Sequence, residues 1–464
     1  MPLHLAGLQN QAYDIKEILL AQFPGDVMTT VAIPRGIDPG ALASQLAEAR
    51  ARTLLLVQPL TDAELRLQHD PLMSPIIWDL GHIAHFEELW LTRNLDGPVE
   101  FVEMPGLFNP FEHPRSERGS LRLPTFAECR EVMEEIRSRV LQRLDGTAPD
   151  DTNPLLRDGY VYQMVLQHEY QHNETMLQTL QLKQGGPYTP VERFAPRTER
   201  AQIPREMVRF PGGALDIGTD DRSAAYDNER PQHRIDLPPF RIDRAPVTNA
   251  EFADFIEAGG YSTRAYWSDA GWAWVKTSGA RSPMYWTRTG DGWHSRSMDH
   301  SAPIEPDHAV CHVSYYEAEA YARYAGKRLP TEFEWEAAAS WSPSGSRLSY
   351  PWGERLPTSN LANLDQLSFG TRAVGSYPRN VSPLGCYGMI GDVWEWTSSD
   401  FLGYPGFQSF PYREYSETFF GSDYKVLRGG SWATRPGAIR STFRNWDYPV
   451  RRQIFSGFRC ARDD

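Results

Sequence analysis

The chain changes texture once, and that break constrains its fold more than any single motif. From about residue 38 to 185 the apolar residues recur at helical spacing, and beyond about 207 that periodicity is gone. Four amphipathic segments fill the first part. ALASQLAEARARTLLLVQPL follows the start signals Asp38 and Pro39, and SPIIWDLGHIAHFEELWLTRNL follows Ser74 and Pro75, read as cap and first-turn residue. TFAECREVMEEIRSRVLQRL is capped by Thr125, and GYVYQMVLQHEYQHNETMLQTLQLKQGG is closed by Gly185 and Gly186. Four such helices predict a bundle. Residues 186–206 are polar and proline-bearing, the composition of a linker. From 207 to 464, β-like pieces (MVRFPGGALDIG, HRIDLPPFRIDRAPVT) alternate with Gly/Pro turns, two short helices (NAEFADFIEAG, SYYEAEAYARYAG) and irregular aromatic stretches. This predicts a compact α+β domain with little regular structure. Residues 1–37 read as an N-terminal extension, within which Met28 is an alternative start.

Composition removes several classes. Lys and Arg number 47 against 60 Asp and Glu, a net charge of -13, which does not favour nucleic acid or an anionic membrane. No apolar run approaches the roughly 18 residues of a membrane span. No charged start, apolar stretch and small-residue cleavage site opens the chain. The four cysteines, Cys129, Cys311, Cys386 and Cys460, form no CxxC pair, so the expectation is reduced thiols in a cytoplasmic protein.

The sharpest local signal is His168-Glu169-Tyr170-Gln171-His172. Histidines at i and i+4 share one helix face, so both rings can reach one metal. The string also matches HExxH, in which the glutamate of a zinc hydrolase acts as base. The longer metzincin pattern is absent, since Asn173, Glu174 and Thr175 follow. A third ligand is available from WDLGHIAHFEE as His82 or His85, and periodicity does not choose between them. Three neutral imidazoles leave coordination sites open, an arrangement suited to an Fe(II) that must hold substrates and O2 together.

The second part of the chain carries longer motifs. GKRLPTEFEWEAAA (326–339), PWG (351–353), GMIGDVWEWTSSD (388–400), VLRGGSW (426–432) and FSGFRCARD (455–463) resemble the formylglycine-generating-enzyme fold, a C-type-lectin-like α+β domain. The copper oxidases of that fold use a cysteine pair shortly after the GGSW-like motif. The matching stretch here, Ala433 to Ile439, has no cysteine, so formylglycine formation is not expected. WDLGHIAH and LQHEYQHNETM resemble the DinB-like metal bundle. The two together resemble the sulfoxide synthases of ergothioneine biosynthesis, and FRNWDYPVRRQIFSGFR resembles their actinobacterial type.

That resemblance implies an iron-dependent oxygenase. It would join γ-glutamylcysteine to hercynine (Nα-trimethylhistidine) with O2, giving γ-glutamyl-hercynylcysteine sulfoxide. Its iron ligands fall on His82, His168 and His172, and this resemblance, not periodicity, selects His82. Its hercynine residues fall on Gln171, Asn445, Trp446 and Asp447, and its arginine pair for γ-glutamylcysteine on Arg115 and Arg118. Its active-site tyrosine best matches Tyr412, with Tyr404 and Tyr415 as rivals. The fold also implies a structural Ca2+ near Asn363 and Asp365. Other readings are the same chemistry with cysteine or a selenium donor, an ovothiol-type enzyme taking histidine, and a zinc hydrolase.

Overall fold

The computed structural model describes residues 38–96, 106–146, 152–191, 200–204, 206–342 and 347–464. The proposed extension over 1–37, with Met28, lies outside the described residues, as do 192–199 and 205 of the expected linker.

Helix α1 (Pro39–Val57) starts where Asp38 accepts from the backbone N–H of Gly40 and Ala41, with proline in the first turn. Helix α2 (Ile76–Glu88) is buried almost all round. Its N-cap is Pro75, with no side-chain cap. Ser74, expected to cap it, instead accepts from Arg118 Nη1 at 2.7 Å. A π-helical turn, Leu89–Arg93, continues it. Helix α3 (Phe126–Asp145) opens on a capping box between Thr125 and Glu128. It buries Cys129, Met133, Ile136, Val140 and Leu144 along one stripe. Helix α4 (Tyr160–Gln181) ends at Leu182, before the expected glycines, where backbone bonds from Leu182 N already close the last turn. Helix α4 packs on α1 and α2, and α2 on α3. At their centre Arg50, Glu87, Arg137 and Glu169, one from each helix, form a shared ion network with N–O separations of 2.5–3.5 Å.

The first strand begins at Val208. Among the described residues, β1 (Val208–Phe210), β4 (Phe240–Ile242) and β12 (Ala461–Asp463) form one antiparallel sheet, so the end of the chain returns to the domain's start. β2 (Gly213–Ile217) pairs with β3 (His233–Leu237), and β5 (Trp286–Thr289), β6 (Gly292–Ser297) and β7 (His300–Pro303) make a meander. A four-stranded sheet has the order β10 (Asn445–Asp447), β9 (Gly421–Arg428), β8 (Trp394–Phe401), β11 (Ser456–Gly457). Helices α5 (Asn249–Glu257), α7 (Tyr315–Tyr324) and α8 (Glu332–Ser340) each begin with a capping box, and α6 (Asp269–Ser278) lies between α5 and α7. Helices α6 and α8 were not among the expected elements.

The recognised motifs hold this domain together through buried ion pairs. Glu332 takes Arg444 at 2.8 and 2.9 Å, Glu336 takes Arg428 at 2.5 Å, and Glu395 takes Arg459 at 2.7 Å on each oxygen. The two halves meet at a polar seam. Glu174 of α4 accepts from Trp394 Nε1, Ser431 Oγ and Thr434 Oγ1, each at 2.7 Å. Gln181 exchanges bonds with Arg296 and Met298, and Arg435 reaches Glu48 of α1. No helix among the described residues is long and apolar enough to cross a membrane, and all four cysteines are free.

Candidate active site

The i,i+4 pair on α4 and one histidine of α2 converge. One ring nitrogen from each of His82, His168 and His172 lies within 4.8 Å of the other two, the one such group of three or more His, Cys, Asp or Glu among the described residues. Nε2 of His82 is 3.2 Å from Nε2 of His168.

The surroundings assign the protons. His82 Nδ1 lies 2.9 Å from the backbone carbonyl of Phe108, which can only accept, so its proton sits on Nδ1 and Nε2 is a bare lone pair. Nδ1 of His172 is 3.0 Å from Asp79 Oδ1, so a carboxylate orients that ring. His168 lies flat on Phe86, ring centroids 3.6 Å apart. Burial, then the neighbouring histidines, push His82 and His168 well below the usual imidazole range, so both are neutral. Ring nitrogens this close on neutral buried imidazoles, that of His82 bare, fit a divalent cation.

Glycine makes the His82 arrangement reachable. Gly81 sits inside α2, where glycine costs about 1 kcal/mol relative to alanine. A Cβ there would fall 2.2 Å from the Phe108 ring. The short 3-10 turn Gly106–Phe108 therefore lies directly on the helix, where Leu107 O also accepts from Trp78 Nε1 at 2.9 Å. Gly81, Phe108 and Asp79 were missed by sequence reasoning; a glycine inside an apolar helix was the available signal. His85 is not part of the group: it stacks on Phe108 at 5.0 Å and faces Glu88 at 3.6 Å.

Glu169, the would-be base of HExxH, points the other way. It accepts from Arg50 Nε at 3.0 Å and Thr53 Oγ1 at 2.7 Å inside the bundle network. A carboxylate held so is not available to activate water, which removes the residue that a zinc hydrolase needs.

The arginine pair is split. Arg118 is buried, its guanidinium 3.5 Å over the Trp78 ring, which in turn stacks on His82 with centroids 4.9 Å apart. Its Nε donates to His113 O at 2.9 Å, and burial pushes it down to about 10, still charged at neutral pH. Arg115 is exposed, and its charge reaches Asp447 across the seam.

The second domain lays aromatic residues on α4 and on the end of α2 with its π-helical turn. Gln171 Nε2 donates to Tyr415 Oη at 3.0 Å. Tyr412 stacks on Trp90 at 5.2 Å and meets Phe86 edge-on at 6.3 Å, one ring removed from His168. Trp446, on β10, stacks on Phe401 at 4.1 Å and touches Tyr415 edge-on at 5.7 Å. Asn445 and Asp447 flank it, and Asp447 pairs with Arg451 at 3.4 Å. Burial raises the phenols of Tyr412 and Tyr415 well above their usual range, so both carry their protons. Tyr404 lies elsewhere, under the Arg444 guanidinium at 4.2 Å. Asn363 donates to Gly370 O at 2.9 Å and Asp392 Oδ1 at 2.7 Å. Asp365 Oδ1 lies 2.6 Å from Arg435 Nε and 3.5 Å from Arg52.

Comparison with known proteins agrees with this two-part architecture. The DinB superfamily model matches residues 45–176, and the sulfatase-modifying factor enzyme 1-like domain matches 192–464. The chain is 47% identical to the hercynine oxygenase of Mycolicibacterium thermoresistibile, over 94% of this chain and 97% of that protein. It is likewise 47% identical to the hercynine oxygenase of Mycobacterium tuberculosis, over 92% and 99%. It is 36% identical to the formylglycine-generating enzyme of Streptomyces coelicolor, over 57% of this chain and 91% of that protein.

Proposed function

This chain belongs to the hercynine oxygenase family, and from that premise we propose that it is an Fe(II)-dependent oxygenase joining hercynine to γ-glutamylcysteine in ergothioneine biosynthesis. The observation that carries the reading is the convergence of His82, His168 and His172 beneath the aromatic wall of the second domain. The reaction balances as one imidazole C–H and one S–H lost, one C–S bond formed, one oxygen atom placed on sulfur and the other released as water. The product is γ-glutamyl-hercynylcysteine sulfoxide.

The three histidines would hold Fe(II), which supplies open coordination positions and electron transfer with O2. The chain supplies the rest. Arg115, with the charge of Arg118 behind it, is proposed to take the carboxylates of γ-glutamylcysteine. Gln171, Asn445, Trp446 and Asp447 are proposed to hold hercynine, whose trimethylammonium suits an aromatic face and a carboxylate. Tyr412 Oη keeps its proton in the resting site and is assigned its delivery to oxygen. Ca2+ at Asn363 and Asp365 is not part of the proposal, because the Asp365 carboxylate already faces two guanidiniums. The free thiols suit a reducing compartment and support a cytoplasmic enzyme.

The test is mass spectrometry of products from iron-loaded protein with hercynine, O2 and a panel of thiols. The expected product is the γ-glutamylcysteine sulfoxide. Preference for cysteine, a selenium donor or unmethylated histidine would transfer the reading to those alternatives. His82→Ala should lose iron and His85→Ala should keep it; the reverse would reassign the third ligand.

A further inference from the structure

The segment that carries both site tyrosines has little backbone support of its own. Residues 410–416 lie outside every strand, between β8 and β9. The hydrogen bonds at the segment's two ends come from one buried side chain far away in sequence. Asp227 Oδ2 accepts from the backbone N–H of Phe410 at 3.1 Å, and Asp227 Oδ1 accepts from Ser416 Oγ at 2.5 Å. A single carboxylate thus grips both ends of the loop, with Tyr412 and Tyr415 between the grips.

The neighbours of Asp227 reinforce the hold. Asn228 Nδ2 donates to the same Ser416 Oγ at 3.1 Å, and the Tyr226 ring stacks on Tyr415 at 4.2 Å. The same short stretch is tied to the rest of the site. Asn228 O and the Glu229 carboxylate accept from Arg444 and Arg440, in the irregular stretch leading into Asn445. Ala224 O accepts from Gln167, one residue before His168.

We infer that Asp227 is a positioning residue: by holding Phe410 and Ser416 it fixes Tyr412 and Tyr415 against the two helices that carry the histidines, and so governs how much oxidised thiol ends as coupled sulfoxide instead of sulfinate. The inference rests on the function proposed above. Its chemistry is geometric. A proton donor that drifts from its place cannot serve coupling, while direct addition of O2 to the thiol sulfur needs no such placement.

The test compares Asp227→Ala, Asp227→Asn and Ser416→Ala with the native protein, all iron-loaded, with hercynine, γ-glutamylcysteine and O2. Asp227→Ala loses both bonds and should lower the sulfoxide-to-sulfinate ratio roughly tenfold or more. Asp227→Asn can still accept from Phe410 N and donate to Ser416 Oγ, so it should restore most of the native ratio. Ser416→Ala loses one bond and should fall between. Iron content, and hercynine binding by anaerobic titration, should stay near native in Ser416→Ala. A native ratio in Asp227→Ala, or in Ser416→Ala should Asp227→Ala not fold, overturns the inference. So does an Asp227→Asn as impaired as Asp227→Ala, which would mean that the charge, not the grip, matters. Loss of iron in Ser416→Ala would also overturn it. Failure of the native protein to form sulfoxide would instead sink the functional reading.

Discussion

Both halves of the molecule bury arginine against carboxylate, but they do so to different ends. In the bundle, two arginines and two glutamates from four helices share one network. The helices satisfy their own backbones, so the network has only to fix their rotation and height. In the second domain strands are short, and each buried glutamate is held chiefly by its own arginine: Glu332 by Arg444, Glu336 by Arg428, Glu395 by Arg459. There the ion pairs stand in for the ladders that would otherwise connect distant loops. A shared network should tolerate the loss of a member better than a private pair does.

The largest effect is expected for Arg459→Met, which leaves Glu395 buried with, among the described residues, only Trp335 Nε1 as a strong donor. The cost should be about 3–5 kcal/mol, read from denaturant unfolding. Arg50→Met tests the shared case. Arg137 remains within 2.5 Å of Glu87 and 3.5 Å of Glu169, so about 1.5–3 kcal/mol is expected. An Arg50 variant hurt more than the Arg459 variant would break the comparison. Gly81→Ala should cost about 1–2 kcal/mol by overpacking against Phe108. It should also weaken iron binding, about tenfold or more, as the carbonyl that orients His82 is pushed away; unchanged iron affinity would detach that carbonyl from the site. The smallest change, about 1 kcal/mol, is expected for Glu174→Gln, where an amide keeps one of the two acceptor oxygens. Its sharper readout is whether the two halves still unfold in one transition.

The same contrast explains what the sequence disclosed. Helical periodicity is a local signal, so the bundle helices, the Asp38 and Thr125 caps and the pairing of His168 with His172 were all readable. Ser74 was misread because its hydroxyl is claimed by Arg118, whose burial on Trp78 no local pattern announces. His82 is buried and His85 half-buried on the same helix, and contacts at Phe108 and Glu88 that no periodicity announces separate them. In the second domain the motifs were legible as words, yet their partners were not: Arg444 lies 112 residues from Glu332, and Asp227 lies 189 from Ser416. Nothing local encodes such contacts.

Glu174 has a consequence for how such a protein can be recombined. Its three donors, Trp394, Ser431 and Thr434, all come from the other half of the chain, while it stands two residues after His172. A bundle transplanted onto a foreign second domain would carry a buried carboxylate with no hydroxyl or indole to meet it, one half-turn from the proposed metal ligand His172. Chimeras between relatives should therefore succeed only when the GGSW-like segment and the indole of Trp394 travel with α4, so that the unit of exchange is the seam and not the domain.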